Sequence, residues 1–69
     1  MRITYDSRAD ALYIRFIETT VTSRPLAEGI VADFDARGKL AGIEILDARR
    51  RFDDKALAKV TVEGIGLGS

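Results

Sequence analysis

Apolar and polar residues alternate in four short stretches of the chain, and this period of two predicts β-strands. The stretches span residues 3–5, 11–17, 30–35 and 40–46. They are rich in β-branched and aromatic residues, and turn-forming Asp, Ser and Gly residues separate them. We therefore predict an antiparallel four-stranded β-meander.

A change of pattern after Asp47 predicts a C-terminal helical segment packed on one face of this sheet. Asp47 is a good N-cap residue, and Asp53 and Asp54 offer a second cap before residues 55–59. The pattern fits two short helical turns, or one helix of about three turns that is broken near Asp53.

Two further stretches carry weaker patterns. Residues 18–28 contain the single proline, Pro25, and are expected to form an irregular edge segment, since proline cannot donate to a β-ladder. The alternation from Val60 to Glu63 indicates a possible short fifth strand. The expected architecture is one small α+β domain over residues 1–63, followed by a loose glycine-rich tail at residues 64–69.

Residues 35–39 predict a type I turn followed by a bulge, which places Phe34 opposite Leu40. A second bulge at Gly42 would shift the phase of the fourth strand by one residue. The shift would collect four residues on one apolar face: Ile30, Ala32, Ile43 and Ile45. We expect the helical segment to cover this face with Phe52, Ala56 and Leu57.

The other sheet face carries apolar residues among charged ones. Tyr13, Ile17 and Val31 alternate onto it. Their charged neighbours there are Arg15, Asp33 and Glu44. Three interpretations remain open: ordinary half-polar surface, a subunit interface centred on Tyr13, Ile17 and Val31, or a ligand groove.

Composition narrows the function classes. The chain has 69 residues and neither Cys nor His, which removes disulfides, thiol chemistry, Ser-His triads and the commonest zinc ligands. A monomer of this size is marginally stable, so we expect a homodimer or larger homo-oligomer. No apolar run reaches the length of a signal-peptide core or a membrane span, and we expect a cytoplasmic protein without membrane contact.

Three carboxylates are the best candidates for chemistry. Asp33, Asp35 and Glu44 could cluster beside one hairpin, hold a divalent metal, or divide acid and base roles. Turn and strand positions explain the same residues without any site: Asp35 begins the turn, and the other two are solvated strand positions. Asp6 and Asp10 bracket the first turn and are interpreted as capping groups. We expect no cofactor and no metal.

Arg49, Arg50 and Arg51 form the only local excess of charge. Phosphate binding would use such a run, but three aspartates flank it and the whole chain has a net charge of zero. The charge pattern therefore argues against nucleic-acid binding.

Several segments resemble the YuzE-like family of small bacterial and archaeal proteins, a domain of unknown function. They are the start of the chain, MRITYD, then ADALYI, VADFD and GKLAGIEILDA, which together lie within residues 1–50. The resemblance implies a small stand-alone α+β domain without an established activity. Because some members of such families are encoded beside small toxins, it also implies that an antitoxin-like role with a neighbouring protein is possible.

We therefore predict a non-catalytic protein–protein interaction module that associates with itself and could also bind a small neighbouring protein. The alternative prediction is a small enzyme or divalent-metal binder that uses Asp33, Asp35 and Glu44.

Overall fold

A computed structural model describes residues 1–63, which form a five-stranded antiparallel sheet and two short helices. The strands are β1 (Arg2–Asp6), β2 (Ala11–Arg15), β3 (Thr22–Ala27), β4 (Ile30–Phe34) and β5 (Leu40–Ile45). The helices are α1 (Ala48–Arg51) and α2 (Asp54–Glu63). The predicted α+β class with an antiparallel sheet is confirmed. The predicted tail at residues 64–69 lies outside the described residues.

The strand order is β1-β2-β5-β4-β3, so the sheet is not a simple meander. A β1–β2 hairpin and a β3-β4-β5 meander join where β5 pairs with β2. The expected pairing of residues 11–17 with residues 30–35 does not form, because residues 18–28 contribute the extra strand β3 and carry the chain to the far edge of the sheet. Pro25 lies in this edge strand, as its missing N–H requires.

The short fifth strand predicted from Val60 to Glu63 is wrong. These residues are the last turn of α2, and Val60 packs against the core. Asp53 explains why helix wins over alternation here: its side chain accepts a hydrogen bond from the N–H of Lys55 at 2.7 Å. A capped first turn lets the helix propagate to Glu63 at little cost per residue. The chain forms two separate helices that meet near Asp53, but only α1 is a short turn, since α2 extends over ten residues.

The β4–β5 hairpin has the predicted geometry. Gly38 adopts φ +82, and the Asp35 carboxylate accepts hydrogen bonds from the N–H groups of Arg37 and Lys39 at 2.9 Å each. Phe34 lies opposite Leu40, and the register then shifts so that Asp33 lies opposite Gly42. The shift aligns the four predicted residues on one face: Ile30 opposite Ile45 and Ala32 opposite Ile43.

The predicted cap at Asp47 is wrong. Asp47 adopts the left-handed conformation, with φ 54, and makes no capping hydrogen bond with its side chain. Asp10 performs this role from a distant turn: its carboxylate accepts the Arg49 N–H at 3.0 Å, and its carbonyl accepts the Ala48 N–H at 2.9 Å. Helix α1 is thus tied to the β1–β2 turn through amides of its first turn, which have no partner within a helix.

The core is small and lies towards the β1 side of the sheet. Leu12, Ala48 and Leu57 form its buried centre. Around them pack partly buried side chains from both layers: Ile3, Tyr5, Ile45, Phe52 and Val60. Phe52 and Leu57 pack on only part of the predicted apolar face, where Ile45 alone of its four residues joins the core, and Ala56 is exposed. No large side chain among the described residues is fully buried.

Candidate functional surfaces

The sheet has two faces with different coverings. We call the side that packs against α1 and α2 the helix face; it includes Ile3, Tyr5, Leu12, Ile43 and Ile45. The opposite side is the open face. One row of register partners crosses the open face from edge to edge: Thr4, Tyr13, Glu44, Val31 and Pro25. A neighbouring row is formed by Arg2, Arg15, Gly42, Asp33 and Ser23.

A polar cluster occupies the centre of the open face. Asp33 is only 3% exposed, and its carboxylate accepts a hydrogen bond from the Ser23 hydroxyl at 2.6 Å. Glu44 from β5 lies within hydrogen-bonding reach of Asp33, so a protonated Glu44 carboxyl can donate to the Asp33 carboxylate. Arg15 lies near enough to Glu44 to favour its ionised form. The cluster therefore links β2, β3, β4 and β5.

Burial of the Glu44 carboxyl raises its pKa above the usual 4.5, and the hydrogen bond and negative charge of Asp33 add to this effect. The positive charge of Arg15 opposes it. A raised pKa in the folded state means that the folded chain holds the Glu44 proton more tightly than the unfolded chain does. The resulting stabilisation is complete below pH 4.5 and is lost as the pH rises through the folded-state pKa.

Replacing Glu44 by glutamine should remove this loss. The amide of the glutamine would donate permanently to Asp33, so the free energy of unfolding at pH 7 should rise by up to about 1 kcal/mol, a modest gain because water screens the partly exposed group. The decline in stability above about pH 4.5 should flatten. Urea unfolding from about pH 4 to about pH 8 measures both effects, and Glu28→Gln, at an exposed glutamate in the β3–β4 turn, is the matched control. An unchanged pH profile in Glu44→Gln would contradict this account.

The three carboxylates considered as a metal or acid–base site do not come together. Asp33 and Glu44 are neighbours, but the Asp35 carboxylate lies in the β4–β5 turn, where it accepts hydrogen bonds from the N–H groups of Arg37 and Lys39. Among the side chains that the structure describes, no group of three or more His, Cys, Asp or Glu residues could hold a metal ion. Asp33 and Glu44 are instead satisfied by each other and by Ser23.

The arginine run is bound by the chain itself. The Arg51 guanidinium donates to the carbonyls of Leu46, at 2.9 Å, and Glu28, at 2.7 Å. Arg49 donates to the Ser7 carbonyl at 3.3 Å, and Arg50 pairs with Asp47 at 3.4 Å. These contacts hold α1 against the neighbouring turns, so the three arginines stabilise the fold. The prediction about nucleic acids itself stays a prediction.

Asp10 is the residue whose importance the sequence understated. Besides the two amides of α1, it receives the Tyr5 hydroxyl at 2.7 Å. This hydrogen bond lowers the pKa of Asp10 and raises the pKa of Tyr5. The Asp10 contribution to stability is therefore lost as the pH falls through its folded-state pKa, and that of Tyr5 is lost as the pH rises through its own. Asp6 behaves as expected and caps its turn through the N–H groups of Arg8 and Ala9.

Within residues 1–63, part of the helix face has no helix on it. We call this area the helix-free patch and define it by five side chains: Ile14, Phe16, Phe34, Leu40 and Ile43. Leu40 is 45% exposed and Phe16 is 41% exposed, and none of the five belongs to the packed core. The Arg24 guanidinium lies 5.2 Å from the centre of the Phe34 ring at the border of the patch.

The sequence contained a signal for this patch. Even the four strands predicted from the sequence, about 4.8 Å apart, would span roughly 14 Å, whereas one helix is about 10 Å wide and covers about two strands. The expectation that one helical segment covers the whole apolar face was therefore geometrically too generous.

The interface predicted at Tyr13, Ile17 and Val31 is divided by the structure. Tyr13 and Val31 flank Glu44 on the open face and are half-buried. Ile17 lies beyond the end of β2, is 54% exposed, and adjoins Phe16 of the helix-free patch. The N–H groups of Phe16 and Ile17 both donate to the Ala41 carbonyl. The assignment of these three residues to an interface stays a prediction.

A family model described as "Protein of unknown function (DUF2283)" matches residues 2–49. These bounds agree with the extent of the resemblance seen in the sequence, and they include the sheet and the Asp10 contacts to α1 but not α2. The finer YuzE-like assignment stays a prediction. No curated protein matches the chain, and no solved structure matches it.

Neither helix within residues 1–63 has the length and apolar character needed to cross a membrane.

Proposed function

Because the chain belongs to the DUF2283 family, whose function is unknown, we propose a function from the surfaces described above: a non-catalytic interaction module that associates with itself through the helix-free patch. The single observation that carries the proposal is the incomplete helical layer. Over the described residues, it leaves five large apolar side chains of the helix face in contact with water.

The small core explains why the partner is a second copy. Among the hydrophobic side chains that the structure describes, only two leucines and four alanines are less than about a tenth exposed. A domain of this size gains little net stability from its own burial. A second copy is always present with the first, and an isologous contact would bury the same patch on both chains. The net charge of zero leaves no long-range repulsion to oppose their approach.

The chemistry of the two faces decides where we place the contact. Burial of the open face would desolvate Arg15 and the Asp33–Glu44 pair, and desolvation of charged groups is costly. Burial of the helix-free patch removes apolar surface from water and leaves Arg24 at its border, where the arginine can keep its contact with Phe34. The patch is therefore the better interface.

The proposal predicts that Leu40→Asp weakens self-association. Leu40 is 45% exposed, so the variant should fold, but the new carboxylate would lie in an apolar contact and raise the dissociation constant about 100-fold or more. Sedimentation equilibrium measures the mass, and melting over a roughly hundredfold range of protein concentration measures the linkage to stability. Leu26→Asp, at a 61% exposed leucine of β3 outside the patch, is the matched control.

Two further outcomes are informative. A monomeric wild-type chain with a melting temperature independent of concentration would overturn the proposal. Association that survives Leu40→Asp but is lost in Tyr13→Asp would overturn the helix-free patch as the interface and move the contact to the open face, where the sequence predicted it.

A further inference from the structure

We propose that β1 is a second contact between copies of this chain, formed by antiparallel pairing of two β1 strands with Thr4 opposite the partner's Thr4. The surface used is a backbone edge, distinct from the helix-free patch, so this inference does not rest on the proposed function. Each contact is isologous, so together the two contacts build a closed tetramer from dimers where their two-fold axes cross at right angles.

The two edges of the sheet differ in their ability to accept another strand. Edge strand β3 contains Pro25, which lacks an N–H, and its register shifts between Pro25 and Ala27. Proline and bulges are the usual means by which sheet edges are blocked. Edge strand β1 has neither: it pairs with β2 without a shift from Arg2 to Asp6.

The hydrogen-bonding direction of β1 follows from its neighbours. Just after β2, the Phe16 N–H donates to the Ala41 carbonyl of β5. The N–H groups of the even-numbered residues along β2 therefore point towards β5. In an antiparallel ladder these directions alternate, so Tyr13 points towards β1 and exchanges its hydrogen bonds with Thr4. The N–H and C=O groups of Ile3 and Tyr5 therefore point outward from the sheet.

Pairing centred on Thr4 satisfies these outward groups. Ile3 would lie opposite the partner's Tyr5, and the symmetric pair would form as well, which gives about four backbone hydrogen bonds. The side chains of Ile3 and Tyr5 already pack on the core, so the edge is held in the extended conformation before a partner arrives.

The charges of β1 select the same register. Arg2 begins the strand and Asp6 ends it, and antiparallel pairing centred on Thr4 places each Arg2 opposite the partner's Asp6. These positions are non-hydrogen-bonded pairs, in which the side chains approach most closely. A parallel arrangement or a shift by two residues would lose both ion pairs. The sequence RITYD is thus complementary to itself in this orientation alone.

Arg2→Glu tests the charge pairing and Arg8→Glu is its control. Both variants change the net charge equally. Arg2 is exposed and forms an ion pair with Glu18, which is also exposed, so replacing Arg2 should leave the fold intact. Arg8 lies in the adjacent turn, outside the strand. We expect Arg2→Glu to raise the dissociation constant for edge pairing at least about tenfold and Arg8→Glu to change it less than about twofold. Equal effects of the two variants would overturn the proposed register.

N-methylation of the Ile3 amide, introduced by chemical synthesis, tests the backbone contact. The methyl group would replace the outward-pointing amide hydrogen of Ile3 and block pairing at this edge. Every side chain, including those of the helix-free patch, would stay unchanged. If the wild type is a tetramer, N-methyl-Ile3 should give a patch dimer and Leu40→Asp an edge dimer by sedimentation. If the wild type is a dimer, a monomeric N-methyl-Ile3 chain supports edge pairing. A monomeric wild type, or an unchanged mass in N-methyl-Ile3, would overturn it, whatever Leu40→Asp does.

Discussion

Replacing Leu57 by alanine should lower the free energy of unfolding by about 2–4 kcal/mol. Leu57 is the side chain through which α2 enters the core: it is 7% exposed and lies in one cluster with Leu12 and Ala48. The truncation would leave a cavity among the partly buried side chains packed around this cluster, which relax only partially into it. A domain of this size has only a few kcal/mol in reserve, so a large fraction of the variant should be unfolded at about 37 °C.

Urea unfolding followed by circular dichroism measures this loss, at one fixed protein concentration because association contributes to stability. Leu26→Ala removes the same atoms from a 61% exposed leucine and should cost less than about 0.5 kcal/mol. Equal losses of stability in the two variants would mean that α2 does not pack on the core through Leu57. The part of the helix face left without a helix would then differ from the helix-free patch.

A second large effect is expected at Gly42, in the central strand β5. A Cβ atom there would lie 2.8 Å from the Ile14 carbonyl oxygen and 3.6 Å from both the Arg15 Cα and the Asp33 carboxylate. The oxygen belongs to the backbone of the neighbouring strand and cannot rotate away. Gly42→Ala should therefore cost about 2–3 kcal/mol, as overpacking of a rigid site does.

Gly38 provides the contrast that identifies this cause. Its φ is +82, but a Cβ atom would meet nothing within 4 Å. Gly38→Ala should cost about 1 kcal/mol through the backbone alone, and Gly38→Asn should recover most of it because asparagine tolerates the left-handed region. At Gly42, asparagine is larger than alanine and should be worse. The order of Ala and Asn should thus reverse between the two sites when urea unfolding compares the four variants, and a common order would contradict the steric explanation.

Local sequence was a reliable guide wherever one or two turns of chain decide the structure. The Asp35–Gly38 turn, the bulge near Gly42 and the cap at Asp53 all follow from residue types at fixed offsets. For the same reason the phase of Ile43 and Ile45 was predictable, since a bulge shifts the side-chain alternation by one residue. Residues Val60 to Glu63 form a helix and not the predicted strand, because a four-residue alternation is compatible with either structure and the preceding cap favours the helix.

The candidate surfaces depended more strongly on long-range contacts. Residue types indicated that Asp33 and Glu44 would share a face, but only the register of the strands brings the two carboxyl groups within hydrogen-bonding reach while Asp35 stays apart. The cap of α1 also depends on a contact between residues far apart in the chain. Asp47 is adjacent to the helix and has the right side chain, yet Asp10, 39 residues from Arg49, supplies the acceptor.

Sequence alone determined the composition of the two sheet faces, the positions of the turns and the absence of histidine and cysteine chemistry, because each is a property of neighbouring residues or of the residue inventory. The tertiary structure alone decided that β5 lies beside β2, that α2 covers the β1 side, and that the helix-free patch and the β1 edge are left without partners among residues 1–63. These outcomes depend on where segments far apart in the chain meet. Such meetings are tertiary contacts, and a local pattern of residues does not specify them.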